Sequence, residues 1–135
     1  MELDKALNIS AAGMDAQTMR LRVIAENLAN QDTTGSSPGA DAYRRKTITF
    51  EDRLNATTGN TTVRVQQIGE DMSSQELRYD PSNPASNAQG YVKTPNVNPF
   101  VELMDMREAE HTYSANLSVL QATRSMLNRT IDLLQ

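Results

Sequence analysis

The residue types able to do chemistry in this chain are few, and their spacing does not suit it. The one histidine, His111, lies in "REAEHTY", beside Glu108, Glu110 and Tyr113. A zinc site needs further ligands at metal spacing, and with no Cys and no second His the set stays incomplete. His111 therefore reads as a solvated or edge-packed side chain. Asp80, Asn83 and Asn87 carry oxygens that suit a hard cation, but they lie in "DPSNPASNAQG", a loop broken by Pro81 and Pro84. Neither a glycine-rich phosphate loop, a nucleophile elbow nor a calcium-loop pattern occurs. The sequence assigns no catalytic residue, no metal and no cofactor, and an enzyme is not expected.

Charge narrows the partners. Thirteen Lys and Arg against 17 Asp and Glu give a net charge of -4, with a sequence pI near 4.9. A nucleic-acid binder neutralises phosphates with clustered cations, and the only cluster is Arg44, Arg45 and Lys46. It reads as a solvated strand or loop face, the sharper alternative being contact with an acidic patch on a partner. Without Cys, neither a disulfide framework nor a thiolate site is possible. The opening "MELDKALNIS" lacks the apolar block of a secretory signal, and no run has the length to span a bilayer. A soluble chain, or one exported by a route that does not read such a signal, is expected. The Asn-x-Ser/Thr triplets at Asn8, Asn55, Asn60, Asn116 and Asn128 then read as incidental.

The elements that must carry any function are at the two ends. Leu3, Leu7, Ser10, Met14, Gln17, Leu21, Ile24 and Leu28 recur at alternating steps of four and three, with polar breaks at Ser10 and Gln17. Leu103, Met106, Glu110, Tyr113, Leu117, Leu120, Arg124, Leu127, Ile131 and Leu134 repeat the spacing, broken at Glu110 and Arg124. Both predict amphipathic helices with coiled-coil spacing. The second has a legible start: Asn98 as N-cap, Pro99 in the first turn, and Glu102 and Asp105 near the positive end of the dipole.

Between them the chain is rich in Gly, Pro, Ser, Thr and Asn. It offers short β-favouring pieces at Tyr43 to Phe50, Thr62 to Ile68, Glu76 to Tyr79 and Gly90 to Lys93. The expected fold is mainly α with a small β-rich insertion: an axial helix over 1–30, a loop and β-rich middle over 31–97, and a second axial helix over 98–135. With a hydrophobic share of 38%, no Trp and two Phe, and a mean hydropathy of -0.57, it has no thick aromatic core.

One helix pair buries only one face of each member, while Ala6, Ala11, Ala25, Val119, Met126 and Leu133 lie beside the stripes. The surplus calls for further partners. Copies of the same chain are the simplest source, and an interface that does not close on itself makes a helical filament. Without partners the stripes from Leu3 to Leu28 and Leu117 to Leu134 are expected to be poorly ordered. A charge at Leu21, Ile24, Leu117 or Leu120 is expected to be disruptive, and changes in an exposed turn at Thr57, Thr58 or Asn60 mild.

The stretch "NLANQDTTG", following a helix that begins near the first residue, resembles the N-terminal motif of the flagellar rod and hook axial proteins: two asparagines around a small apolar pair, then Thr and Gly. "YRRKTITFED", "YDPSNPASNAQGYVKTPNVNPFVELMDM" and "YSANLSVLQATRSMLNRTIDLL" extend the resemblance to nearly the whole chain. The phrase from Tyr79 to Met106 is the most specific, since sister rod proteins share the terminal motifs but lack it. The chain departs from the usual pattern after Gly35, where an aromatic residue commonly follows; here the aromatic is delayed to Tyr43.

The resemblance implies a structural subunit of the proximal rod, the drive shaft of the flagellar basal body. It implies a periplasmic location and export by the flagellar type III apparatus without a cleaved signal. It implies copies of itself, other rod proteins, and membrane-ring and export-gate components as partners, with neither nucleic acid nor membrane spanning. The subunit interface then falls on Leu3, Leu7, Met14, Leu21, Ile24, Asn27, Leu28 and Asn30 of the first helix. On the second it falls on Leu103, Met106, Tyr113, Leu117, Leu120, Leu127, Ile131 and Leu134. Asn27 is placed to hydrogen-bond across a helix contact and fix register, and Asn30 to end its helix. A sister rod protein and a small helical export chaperone are the alternatives.

Overall fold

A computed structural model describes residues 2–56 and 59–133. The first long element, α1, is a helix over Glu2–Ala29 with Glu2 and Asp4 in its first turn, where acidic side chains favour the dipole. Its last turn has no basic residue. Asn30 closes it instead: its Nδ2 donates to the Glu26 carbonyl at 2.8 Å, and its Oδ1 accepts from the Thr33 hydroxyl at 3.1 Å. The second helix, α2, covers Pro99–Asp132. Asn98 caps it, its Oδ1 accepting from the Phe100 amide at 3.0 Å. At about 1.5 Å per residue the two run to roughly 42 and 51 Å.

The middle supplies β1 (Lys46–Asn55), β2 (Asn60–Glu70), β3 (Leu77–Tyr79) and β4 (Tyr91–Lys93). They form two two-stranded sheets, β1 with β2 and β3 with β4. The β1–β2 turn includes a bond from the Gly59 amide to the Asn55 carbonyl at 2.7 Å, with Gly59 at φ +67°, a conformation glycine takes without strain. In the second sheet Leu77 faces Lys93 and Tyr79 faces Tyr91 in antiparallel register. The two Tyr rings meet edge to face, 5.4 Å apart. All four expected strands are present, but β1 begins three residues later than its β-favouring stretch. The Tyr43 and Arg45 amides are used elsewhere, donating to the Thr33 carbonyl and to Asn96 Oδ1.

The chain folds as two compact units, and both long helices contribute to each. One comprises the described residues of Met1–Leu21, Ile48–Gln67 and Met106–Gln135; the other comprises Arg22–Thr47 and Ile68–Asp105. In the first, the buried positions are small: Ser10, Ala16 and Ala109, with Asn60 and Thr123. In the second, Val23, Ile24, Ala42, Ala85 and Val92 are buried around Asn27 and Glu102. Among the described residues neither core has a buried aromatic, and Phe100 is exposed. Asn60 departs from the expected tolerant turn, since it is only 7% exposed at the start of β2; Thr57 and Thr58 lie outside the described residues.

Burial along the helices predicts uneven order in an unassembled chain. The run from Val23 to Asn27 holds three buried side chains, whereas Leu3 and Leu7 are half-buried and most of 117–133 is exposed. Hydrogen exchange on a proven monomer is expected to be fast at 2–9 and 117–133, and slower at 22–29 and 99–109. The looseness expected over all of Leu3 to Leu28 thus shrinks to its first part. Equal protection along both helices would sink this reading.

Candidate subunit interface and its buried polar junction

The side of each helix that the fold buries is offset from the leucine stripes by one residue in half of its positions. In α1 Ser10 and Ile24 are buried as spaced and Gln17 is half-buried, but the offset shows at Gly13 and Asn27, while Ala6 and Arg20 are no more buried than Leu7 and Leu21. Gly13 and Asn27 are buried there, while Leu7, Met14, Leu21 and Leu28 are half-buried. In α2 the series Met106, Tyr113, Leu120, Leu127 is half-buried as spaced. Its companion is Glu102, Ala109, Asn116, Thr123, with Leu103 and Ile131 exposed and Leu117 half-buried.

Small and polar residues take the inward places, and at Gly13 a side chain of α2 fills the space that a Cβ would need. A Cβ built on Gly13 would stand 2.8 Å from Asn116 Nδ2. Along the same pair of helix segments Arg20 meets Glu108 at 3.5 Å, so the segments run antiparallel. The polar breaks at Ser10 and Gln17 are therefore inward-facing, whereas Glu110 and Arg124 are exposed. The Oε1 atom of Gln17 is buried without a hydrogen-bond partner among the described residues.

Asn27 is 1% exposed, and all four of its hydrogen-bonding positions are used. Its Nδ2 donates to the Lys46 carbonyl at 2.9 Å and to Glu102 Oε2 at 3.3 Å. Its Oδ1 accepts from the Lys46 amide at 2.8 Å and the Tyr43 hydroxyl at 2.9 Å. The amide thus pairs with both backbone groups of Lys46 as a neighbouring strand would, and ties the end of α1 to the start of α2. All four bonds lie within the chain, and the one to Glu102 joins the two helices. Tyr43, the delayed aromatic, completes the arrangement. Burial pushes its hydroxyl above the ordinary tyrosine range, so it is a neutral donor at neutral pH.

Glu102 is fully buried at the first turn of α2 and bonds the Arg45 guanidinium through Oε1. Arg45 also reaches Asp105 at 3.5 Å. The rest of the basic cluster is paired as well. Lys46 Nζ meets Glu26 at 2.7 Å, a hydrogen bond that holds its ammonium above the usual lysine range. Arg44 meets Asp41 at 3.2 Å. The cluster is therefore not a free solvated face: the fold supplies its acidic partners. Asp41 also accepts from Lys93, and that bond, then Arg44, lowers its carboxyl below the ordinary range. Its contribution is present above the unfolded value of about 3.9 and is lost as pH falls through the lower folded one.

The remaining candidates resolve simply. His111 is exposed on α2. Asp80 Oδ1 accepts from the Ser82 hydroxyl, Asn83 Oδ1 from the Ala85 amide, and Asn87 Oδ1 from the Gln89 and Tyr91 amides. Those oxygens shape the loop. Leu134 lies outside the described residues. Among the described helices none is long and apolar enough to cross a membrane. Sequence spacing missed Tyr43, Arg45 and Glu102. The sequence offered an acidic residue in a first helical turn and a basic cluster, with nothing to pair them.

Known proteins place this arrangement. The family described as "Flagellar basal body rod FlgEFG protein C-terminal" matches residues 88–133, most of which form α2. The flagellar basal-body rod protein FlgC of Agrobacterium fabrum is 47% identical over 133 residues, covering 98% of this chain and 96% of that one. FlgC of Bacillus subtilis is 36% identical, with 95% of each chain covered. FlgC of Escherichia coli O6:H1 is 37% identical, with 98% of each covered. Identity at this level along nearly the full length of such relatives means that the chain belongs to the FlgC family of flagellar basal-body rod proteins.

Proposed function

We propose that the chain is a structural subunit of the proximal rod, acts through assembly with no enzymatic step, and joins its neighbours through the flanks of α1 and α2. The observation that carries this reading is the offset between the buried seam and the leucine stripes. Close packing of small residues leaves the large apolar side chains at the edge of the pair. Leu103 is 48% exposed and Met126 is 58% exposed, with Val119, Ile131 and Leu133 also in the open. Burying such a side chain in an interface stabilises by about 1.5–3 kcal/mol, and many identical contacts accumulate in a helical array.

The interface comprises Leu3, Leu7, Met14, Leu21 and Leu28 on α1, and Leu103, Met106, Tyr113, Leu117, Leu120, Leu127 and Ile131 on α2 with Met126 beside Leu127 in sequence, together with Leu134, which lies outside the described residues. Ile24, Asn27 and Asn30 support it from below or at the helix end. Copies of the chain and other rod proteins are the partners, with membrane-ring and export-gate components at the base. The chain works in the periplasmic part of the rod and leaves the cell through the flagellar type III apparatus.

Exposed positions give the cleanest test. Met126→Asp is expected to change the stability of the unassembled chain by less than about 0.5 kcal/mol, yet to abolish motility and hook-basal-body formation in cells lacking the native protein. Gln66→Glu, on the exposed face of β2, serves as control and is expected to swim normally. Secreted Met126→Asp chains that build normal numbers of basal bodies would remove the α2 flank from the interface.

A further inference from the structure

We infer that the junction of Asn27, Tyr43, Arg45 and Glu102 is a latch that makes the end of α1, the start of β1 and the start of α2 order together or not at all. Three stretches of chain far apart in sequence each supply part of one hydrogen-bonded set, and no two of them satisfy it. Glu102 has Arg45 on Oε1 and Asn27 on Oε2, with no exposed surface. The Arg45 backbone is held in turn by Asn96 Oδ1, at 2.8 Å from its amide, and by the Asp71 amide, which donates to its carbonyl at 2.8 Å. Asn96 continues the set, donating through Nδ2 to the Asp71 carbonyl and Ser73 Oγ, both at 2.9 Å.

Partial closure is the costly state. With the helix ends together and the middle segment undocked, Glu102 would be a buried carboxylate without its cation, and Asn27 would keep one of its four bonds. With the middle docked and α2 displaced, Arg45 would lose both Glu102 and Asp105, and Asn27 Nδ2 would keep only the Lys46 carbonyl. The fully open state, with every group in water, is better than either. Two populated states separated by poor intermediates are the physical content of a latch. Resting on the rod reading, its consequence is that the exposed Val101, Leu103 and Met104 of the first turns of α2 take their final geometry only in a chain whose middle segment has closed.

Hydrogen exchange by mass spectrometry on the full-length, unassembled chain tests the coupling itself, whether or not that chain builds rods. Arg45→Met leaves Glu102 without its cation. It is expected to accelerate exchange on the order of a hundredfold, to a similar degree, in the three segments 22–29, 45–48 and 99–106. The double variant Arg45→Met with Glu102→Met removes both charges, and is expected to recover most of the protection in all three. The latch is overturned if the single variant loosens only the segment containing residue 45. It is also overturned if the double variant is as unprotected as the single one, or if the three segments of the unsubstituted chain exchange at unrelated rates.

Discussion

Asn27→Asp is expected to be the most damaging single-atom change in the second compact unit, costing about 3–5 kcal/mol at neutral pH. The substitution exchanges an NH2 group for an oxygen and leaves the shape intact, so packing does not explain the loss. Two donors disappear, from the Lys46 carbonyl at 2.9 Å and from Glu102 at 3.3 Å. A second carboxylate then stands against the first where neither reaches water. Asn27→Leu removes those two bonds and also the two that Oδ1 accepts from the Lys46 amide and the Tyr43 hydroxyl, but adds no charge, so its cost is set by unsatisfied groups, at about 1–3 kcal/mol each.

The pH dependence separates the two variants. A carboxyl beside Glu102 has its folded pKa raised above the unfolded value of about 3.9. The folded state then holds more protons than the unfolded one between those two values, and stability falls as pH rises through that window. Relative to Asn27→Leu, Asn27→Asp is therefore expected to be least defective near pH 4 and to worsen toward neutrality. Thermal or urea unfolding of both variants across that range reads the difference. A constant gap would show that the introduced charge is not confronting Glu102.

The same residue shows how far the sequence could be read. Both helices, the Asn98 cap and the four strands follow from local rules, because caps, turns and periodicity act over a few neighbouring residues. The inward face of each helix does not. A hydrophobic template prefers Met14 to Gly13 and Leu28 to Asn27, yet Gly13 and Asn27 are the buried ones. Leu103 beside Glu102 shows the same inversion: the leucine is exposed, and the glutamate is fully buried because Arg45 and Asn27 meet it. That pairing spans 57 and 75 residues of sequence, a distance no local pattern covers. Read as a free basic patch, Arg44, Arg45 and Lys46 misled for the same reason.

Gly13 is where the closeness of the first unit's helix pair can be measured. Its absent Cβ would lie 2.8 Å from Asn116 Nδ2, 3.2 Å from Cγ and 3.3 Å from Oδ1. The obstructing atoms are the far end of one side chain, so Gly13→Ala has an outlet: Asn116 rotates away, and the gain in helix propensity of about 1 kcal/mol offsets the disturbance. Net stability is expected to change little. Gly13→Leu has less room, because a branched side chain there needs more space than a turn of Asn116 frees. Overpacking of this kind costs about 1–3 kcal/mol, and it also displaces the flanks that carry Leu117 and Leu120. Chemical denaturation is expected to show that loss for Gly13→Leu, and cells carrying it are expected to form few complete hook-basal bodies. Asn116→Ala opens the space facing residue 13, so it should restore part of the stability when combined with Gly13→Leu, although alone it gains nothing. If Gly13→Leu unfolds like the unsubstituted chain and builds normal rods, the helices are not held at this spacing by Gly13, and small residues do not set their separation.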